Sequence, residues 1–216
     1  MTPRARWIPV SIALAAVATG CNSGKNTPSG STAVSPPPAL HGTVVPGQVA
    51  RPAFTLRDTA GHRYDFGTET QGQVTLLYVG YTHCPDECPT TMADIATALR
   101  KLPRAAADKV KVVFVTADPW RDSRRVLRRW LDRFHPPTPY VGLTGKPSTL
   151  AHVERQLGMP VAKRHAVPKS YGEGAYEVTH FDGLLTYGRN DRLLTIYPST
   201  ARASAIAADL RQLIGR

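Results

Sequence analysis

Two nearly continuous apolar runs, residues 74–79 and 110–115, limit the possible folds of this chain more than any other feature. Apolar runs without alternation indicate strands that are covered on both faces of a sheet. Between them, residues 90–102 have apolar side chains at helical spacing. A strand, a helix and a second strand predict a parallel pair with a crossover, the core of an α/β domain.

The remaining elements complete a mixed sheet. They are a hairpin at 54–57 and 63–66, a basic helix started by Asp122 or Ser123, a strand at 140–143, a helix closed by Gly158, a hairpin at 184–187 and 193–197, and a last helix capped by Ser199 or Thr200. Together they predict the thioredoxin arrangement, an α/β mixed sheet with helices on both faces. We expect one such domain over residues 46–216.

The carboxyl ends of the two parallel strands are the expected place for a site, because α/β sheets form their sites at that edge. Cys84 and Cys88 follow the first strand, and Asp118 follows the second. Two cysteines one helical turn apart lie on the same face, so both sulfurs can reach one metal ion or each other. The start of a helix also favours the thiolate form. Spacing alone leaves three interpretations open: a metal site, a redox disulfide and a structural disulfide.

The donor types favour copper among the metals. Two thiolates suit Cu(I), and an added imidazole makes the site acceptable to Cu(II). Structural zinc normally has four protein ligands, and the third cysteine, Cys21, has a different predicted role. The candidate imidazoles are His41, His62, His83, His135, His152, His165 and His180. Side chains adjacent in sequence diverge, which disfavours His83 beside Cys84. His180 precedes the last hairpin, in a loop that packs against the cysteine turn of thioredoxin folds, so it is the favoured candidate.

The N-terminal residues resemble the export signal of a lipoprotein. Arg4 and Arg6 precede an apolar run at 7–18 that is too short for an ordinary membrane span. Small residues ending in Gly-Cys resemble the bacterial lipobox, although Ala18 stands where leucine is usual. Cleavage there would leave Cys21 free to carry lipid. An ordinary secretory peptide with a chance cysteine is the alternative.

A polar segment rich in Asn, Ser, Gly, Thr and Pro follows, at 22–38. It lacks the apolar content to order itself, which is typical of a flexible tether. We therefore predict a lipoprotein signal peptide at 1–20, a linker at 21–45 that begins with lipidated Cys21, and a domain held on the extracytoplasmic face of the cell membrane. In such an oxidising compartment, Cys84 and Cys88 form a disulfide, bind metal or alternate between the two.

The chain is strongly basic, with 27 Lys and Arg against 16 Asp and Glu and a net charge of +11. Such a charge raises the possibility of nucleic acid or an anionic membrane as a partner. The densest basic cluster, at 121–133, is interleaved with apolar residues at helical spacing. This pattern is typical of an amphipathic helix with a solvated basic face, and no nucleic-acid motif accompanies it. We expect no nucleic-acid partner.

Three segments resemble the Sco/SenC family of copper proteins: Tyr-Thr-His-Cys-Pro-Asp-Glu-Cys-Pro at 81–89, Thr-Ala-Asp-Pro-Trp-Arg-Asp at 116–122, and Val-Thr-His at 178–180. The resemblance implies copper bound by Cys84, Cys88 and His180, with Asp118 near the site. It also implies a membrane-tethered protein that helps to build the binuclear copper centre of cytochrome c oxidase.

Two functional hypotheses follow from these residues. The first is a copper metallochaperone, a carrier and not a catalyst, which delivers copper to the copper-bearing subunit of the oxidase. The second is a dedicated thiol–disulfide oxidoreductase that keeps that subunit's cysteines reduced. Three residues separate the cysteines instead of the two of thioredoxins, and no proline stands before His180, both of which disfavour a general reductase. Either hypothesis also allows a second partner besides the oxidase subunit, namely another copper chaperone or a thiol reductant.

Overall fold

The computed structural model describes residues 39–168, 170, 172, 173 and 175–215. Within these residues the elements are β1 (Thr43–Val44), β2 (Thr55–Asp58), β3 (Arg63–Asp65), α1 (Phe66–Thr70), β4 (Val74–Gly80), α2 (Glu87–Arg100), α3 (Arg104–Ala107), β5 (Val110–Thr116), α4 (Arg124–Asp132), β6 (Val141–Thr144), α5 (Pro147–Gln156), β7 (Lys163–Ala166), β8 (Tyr176–Thr179), β9 (Leu184–Tyr187), β10 (Leu193–Tyr197) and α6 (Ala203–Ile214).

Eight of the described strands form one mixed sheet, in the order β1-β10-β9-β4-β5-β6-β2-β3. β4, β5 and β6 are parallel, and β9 runs antiparallel to β4 on its other side. Every residue of β4 is buried, as are six of the seven residues of β5, because neighbouring elements cover both faces of these central strands. The α/β fold class predicted from the apolar runs is confirmed.

Both predicted hairpins are present, as the pairs β2–β3 and β9–β10. The second turn contains Asp191 with a φ of 57°, a left-handed conformation that aspartate tolerates better than most residues. The Asp191 carboxylate also accepts hydrogen bonds from the Arg51 guanidinium and the Gly72 amide. Arg51 and Asp191 therefore tie the turn to the opposite end of β4 from the cysteines.

Two short helices, α1 and α3, were not predicted, and the predicted helices differ from the structure mainly at their first residues. α2 begins at Glu87, which places Cys88 in its first turn. Ser123 caps α4 by accepting from the Val126 amide, so Ser123 and not Asp122 is the cap. Leu127, Trp130 and Leu131 of α4 are buried. Arg124, Arg125 and Arg129 face outward, as predicted for the basic helix, whereas Arg128 is half-buried and donates to the Tyr140 carbonyl.

The prediction of Ser199 or Thr200 as the cap of α6 is wrong, because this helix begins at Ala203. Its first amide, at Ala203, donates to the Asp94 carboxylate of α2 at 3.1 Å. α2 and α6 pack against each other, so the cap comes from a neighbouring helix. A cap supplied across a helix–helix contact leaves no local signal in the sequence.

Three strands were not predicted: the short β1, and β7 and β8. β7 and β8 form a separate antiparallel ribbon between α5 and β9. All four residues of β7 are exposed and only Val178 of β8 is buried, so the segment lacks the apolar run that marks a core strand. The ribbon matters because β8 leads directly to His180.

The sheet begins inside the range predicted as linker. β1 pairs with β10, and the preceding His41 bonds the buried Asp209 of α6 through its backbone N–H and its ring. None of the helices in the described part of the chain is both long and apolar enough to span a bilayer. The predicted signal peptide, Cys21 and most of the linker lie outside the described residues, so those assignments stay predictions.

Candidate metal centre

The loop between β4 and α2 holds the two cysteines, and both are buried. The Cys88 amide donates to the Cys84 sulfur at 3.4 Å, which fixes the first sulfur over the first turn of α2. Gly80 ends β4 directly beneath them, where an added Cβ would lie 2.8 Å from the Cys88 sulfur and 2.9 Å from the Tyr78 ring. The absence of a side chain at Gly80 makes room for the second sulfur.

His180 follows β8 and brings its ring to the same place. Its Nε2 lies 3.5 Å from the Cys88 sulfur, and its Nδ1 lies 2.9 Å from the Phe181 carbonyl. Because that carbonyl can only accept, Nδ1 carries a hydrogen, so Nε2 is the ring nitrogen placed to bind a metal beside the sulfurs. The rings of Tyr81 and Tyr78 pack edge-on against the imidazole, with centroids 5.5 and 6.2 Å away.

The three donor atoms fit a single metal ion. The two sulfurs and one ring nitrogen all lie within 4.8 Å of one another. Donors bonded to one ion at about 2.0–2.3 Å lie roughly 3.5–4 Å apart, so only a small contraction is needed. In the part of the chain that the structure describes, Cys84, Cys88 and His180 are the one group of this kind.

The two thiols have opposite pKa shifts. Hydrogen bonding from the Cys88 thiol lowers the pKa of Cys84 to about 3, with further help from His180 and from the Cys88 and Asp86 amides, while burial opposes this. Burial raises the pKa of Cys88, and the neighbouring Cys84 charge adds to that rise. Burial acts to lower the pKa of His180, but hydrogen bonding to Cys84 and to the Phe181 carbonyl raises it on balance. The metal-free centre therefore holds one thiolate and one thiol at neutral pH.

Four carboxylates surround the mouth of the centre. The cavity of about 380 Å³ over the sulfurs is lined by Cys84, His180 and the exposed acids Asp86, Glu87, Glu177 and Asp182. Glu87 lies beside the first sulfur, with its Oε2 3.8 Å from the Cys84 sulfur. We call these four residues the acidic rim. They give the opening a negative potential that attracts metal cations.

Asp118 is close to the centre but touches none of the three donors. Its buried carboxylate accepts from the Tyr176 hydroxyl at 2.9 and 3.1 Å and pairs with the Arg121 guanidinium. Arg121 also donates to the Tyr176 carbonyl at 3.0 Å and stacks on its ring at 3.6 Å. Asp118 thus fixes the start of β8, four residues before His180. The resemblance implied only that Asp118 lies near the site, so its role in positioning His180 stays a prediction.

Asp122 is a buried residue of the site that the sequence analysis interpreted only as a possible cap. It accepts from the Thr82 amide at 3.1 Å, the Thr82 hydroxyl at 2.6 Å and the Thr116 hydroxyl at 2.6 Å. Burial raises the pKa of Asp122, against the effect of these hydrogen bonds. Asp122 joins the cysteine loop to the end of β5. The Asp-Pro-Trp-Arg-Asp segment carried the family resemblance, but nothing local in it distinguishes this contact from a helix cap.

A model of the SCO1/SenC family matches residues 45–215. The chain belongs to this family. A Stutzerimonas stutzeri protein named for copper binding is 32% identical over 151 residues, which cover 69% of this chain and 70% of that protein. The mouse mitochondrial SCO2 homolog is 35% identical over 164 residues, which cover 69% of this chain and 60% of that protein. Bradyrhizobium japonicum ScoI with copper bound is 30% identical with a TM-score of 0.66, covering 76% of this chain and 99% of that one.

This SCO1/SenC domain brings together the three segments that carried the resemblance. The cysteine segment supplies two donors, the Val-Thr-His segment supplies the third, and the Asp-Pro segment supplies Asp118 and Asp122 behind them. Membership of the family and its thioredoxin-like fold are confirmed. His83 is outside the donor group: its ring is half exposed and bonds the Thr82 hydroxyl at 3.0 Å.

Proposed function

We propose that this protein binds copper through Cys84, Cys88 and His180 and delivers it, from a lipid-anchored position outside the cytoplasmic membrane, to the binuclear copper site of cytochrome c oxidase. The observation that carries the proposal is the convergence of two buried sulfurs and one correctly oriented imidazole within 4.8 Å. Two related proteins, one named for copper binding and one with copper bound, support the choice of metal.

The donor set explains why a carrier of this metal would be built this way. Thiolates hold Cu(I) strongly, and the imidazole extends the site to Cu(II). Metal binding must displace the remaining Cys88 proton, so loading depends on pH and on the reduced state of both thiols. A Cys84–Cys88 disulfide removes two of three donors. The metal is therefore held only when the pair is reduced, and it can leave by exchange with ligands that approach through the acidic rim.

The arrangement of the two sulfurs also gives the second candidate specific support. The Cys84 thiolate could attack a disulfide of an oxidase subunit, forming a mixed disulfide and expelling one partner thiolate. Cys88, after losing its proton, would then attack the Cys84 sulfur, which releases the second partner thiolate and leaves a Cys84–Cys88 disulfide. Two electrons pass to the partner in that sequence. The three-residue spacing and the absence of cis peptide bonds in the described chain distinguish this protein from general thioredoxins.

A histidine variant separates the two functions, because both require the cysteines. Thiol exchange has no need of an imidazole beyond the cysteine pair, whereas a copper carrier needs the third donor. We expect cells that contain only His180→Ala to lose cytochrome c oxidase activity and to recover part of it when copper is added, by mass action. The purified variant should keep near-normal disulfide exchange. Normal oxidase activity with His180→Ala, together with failure of Cys84→Ser, would favour the reductase instead.

A further inference from the structure

A second cavity, of about 660 Å³, adjoins the metal centre but takes no part in holding the donors. The loop after β5 forms one wall and the β7–β8 ribbon forms the other. Its lining includes Ala117, Trp120, Ala162, Arg164, Tyr176 and Val178. We call it the Trp120 groove. Val178 also lines the opening over Cys84 and His180, so the groove and the metal centre share a wall.

Trp120 is 53% exposed, which is unusual for so large a side chain. It lies two residues after buried Asp118 and follows Pro119, so its backbone is anchored. The Arg164 guanidinium stacks over the indole at 4.0 Å and lies 5.5 Å from the Tyr176 ring. Tryptophan and arginine are the residues most enriched among those that dominate the binding energy of protein interfaces. The pair is thus a preformed contact point on the surface beside the metal.

Charge is divided sharply across this surface. Lys163 and Arg164 line the groove, and neither forms a salt bridge within the described residues. The acidic rim, on the other side of Val178, contributes four carboxylates. Surfaces of opposite sign side by side fix the orientation of a partner, because a reversed partner would bring like charges together.

We propose that the Trp120 groove is where the copper-receiving domain of the oxidase subunit docks, through an acidic segment that carries an exposed apolar side chain. The apolar side chain covers Trp120, and the carboxylates of the segment pair with Lys163 and Arg164. Basic groups near the partner's own metal ligands then face the acidic rim. This proposal rests on the proposed function, because it identifies the part of the surface that positions the acceptor.

The groove is well placed for this role because it is continuous with the ligand-bearing strand. Tyr176 and Val178 of β8 line the groove, and His180 follows two residues later. A partner held against Trp120 therefore lies beside the opening through which copper would leave. The orienting contacts and the exchanging ligands are on separate residues, so each can be changed without the other.

The test measures docking of metal-free, reduced full-length protein to the soluble copper-receiving domain of the oxidase subunit, by calorimetric titration. We expect Trp120→Ala and Arg164→Glu each to weaken the affinity at least about tenfold, and Trp120→Phe to stay within about threefold of the original. Lys109→Glu is the charge-matched control, since Lys109 is exposed at the amino end of β5, on the opposite edge of the sheet. It should leave affinity unchanged.

The rate of copper transfer is a second measurement that tests the proposal. Trp120→Ala should bind copper with unchanged stoichiometry and release it normally to a small chelator, yet transfer it at least about tenfold more slowly to the oxidase domain. Failure of the original protein to bind copper would contradict the proposed function alone, since docking is measured without metal. Equal affinity for the original protein and Trp120→Ala would overturn the docking proposal. So would binding to anionic phosphatidylglycerol vesicles, lost in Arg164→Glu, without binding to the oxidase domain.

Discussion

Cys84 and Cys88 lie one helical turn apart but differ in protonation. Cys84 accepts hydrogen bonds from a thiol and from backbone amides, whereas Cys88 is fully buried beside that charge. Tyr78 adds a hydroxyl 3.9 Å from the Cys88 sulfur. Storing a single negative charge avoids the repulsion of two adjacent thiolates. The second charge develops only when a cation arrives to balance it.

This asymmetry predicts a pH dependence of stability in the reduced, metal-free protein. In the unfolded chain a thiol titrates near pH ~8.5. Between that pH and the lowered pKa of Cys84 in the folded protein, about 3, the unfolded state binds more protons than the folded state. The free energy of unfolding should therefore rise with pH across about pH 5 to 8, with that gain lost on acidification. Above the ordinary thiol pKa, the raised pKa of Cys88 makes the folded state bind more protons than the unfolded state, so the free energy of unfolding falls as the pH rises. Urea unfolding against pH measures both effects.

Cys84→Ser is the matched control for that titration, because carboxylates and histidines elsewhere titrate alike in both proteins. The difference between the two profiles reports the Cys84 thiolate together with the pKa shifts that it causes in Cys88 and His180. The rise in the free energy of unfolding between about pH 5 and 8 should be absent from Cys84→Ser. Parallel profiles for the two proteins would show that Cys84 has an ordinary pKa.

Asp118 acts at a distance from the donors. Its carboxylate binds Tyr176 and Arg121, and these fix the strand that ends at His180. Asp118→Asn should weaken copper affinity about tenfold or more without changing the stoichiometry, as is usual when a group that orients a ligand is lost. Competition with a copper chelator measures this.

Tyr176→Phe removes one hydrogen bond of the same network and keeps the ring under Arg121. Its effect should not add to that of Asp118→Asn, because residues in one network couple. Strictly additive losses, or wild-type affinity in Asp118→Asn, would contradict a positioning role through β8.

At the scale of elements, the end of β4 decides where the sulfurs lie. Gly80 faces the Cys88 sulfur, the Tyr78 ring and the Phe114 ring, each within 3.2 Å of an added Cβ. The Phe114 ring belongs to β5 and cannot move away easily in a close-packed core. A glycine at this position is thus a requirement of the strand–helix junction.

Gly80→Ala tests that requirement. Overpacking there should reduce the free energy of unfolding by about 1–3 kcal/mol and weaken copper binding by displacing Cys88. Thermal unfolding and metal analysis measure the two effects. Gly67→Ala in α1 is the control, since its added Cβ would make only ordinary contacts, at 3.5 Å or more, with Asp65 and Ala53. Equal stability of both variants would show that the junction has spare room.

The central strands and both hairpins could be predicted from sequence because apolar runs and turn residues are local signals. The β7–β8 ribbon could not, since its exposed strand Lys163–Ala166 has no apolar pattern. The hydrogen bond from the Ala203 amide of α6 to Asp94 and the one from the Thr82 hydroxyl to Asp122 also could not be predicted from the sequence. Each is a contact between distant segments that only the packed fold creates. The grouping of Cys84, Cys88 and His180 was easier to predict, because a cysteine pair restricts the chemistry more than a carboxylate does.

At the scale of the whole molecule, the candidate metal centre lies at the carboxyl edge of the parallel strands, and the first described strand, β1, joins the sheet beside β10. The centre is therefore built on the most buried part of the sheet, while the predicted tether would join the sheet at its edge strand β1. A domain arranged in this way can be held at a membrane without strain on the metal donors.

Cys21→Ala tests the anchor. If Cys21 carries lipid, the variant should leave the membrane fraction and appear in the soluble extracytoplasmic fraction. Fractionation after a high-salt wash is required, because the net charge of +11 could hold an unlipidated chain on anionic lipids. Retention of Cys21→Ala on membranes washed with high salt would show that another segment provides the anchor.

Metal analysis of the purified, full-length protein under anaerobic conditions tests the proposed copper centre most directly. We expect one copper ion per chain when the protein is reduced and little when Cys84 and Cys88 are oxidised. Cys84→Ser and Cys88→Ser should abolish binding, and His180→Ala should weaken Cu(II) more than Cu(I), because imidazole is the harder of the two donor types. Unchanged copper stoichiometry in the two cysteine variants would contradict the assignment of this centre.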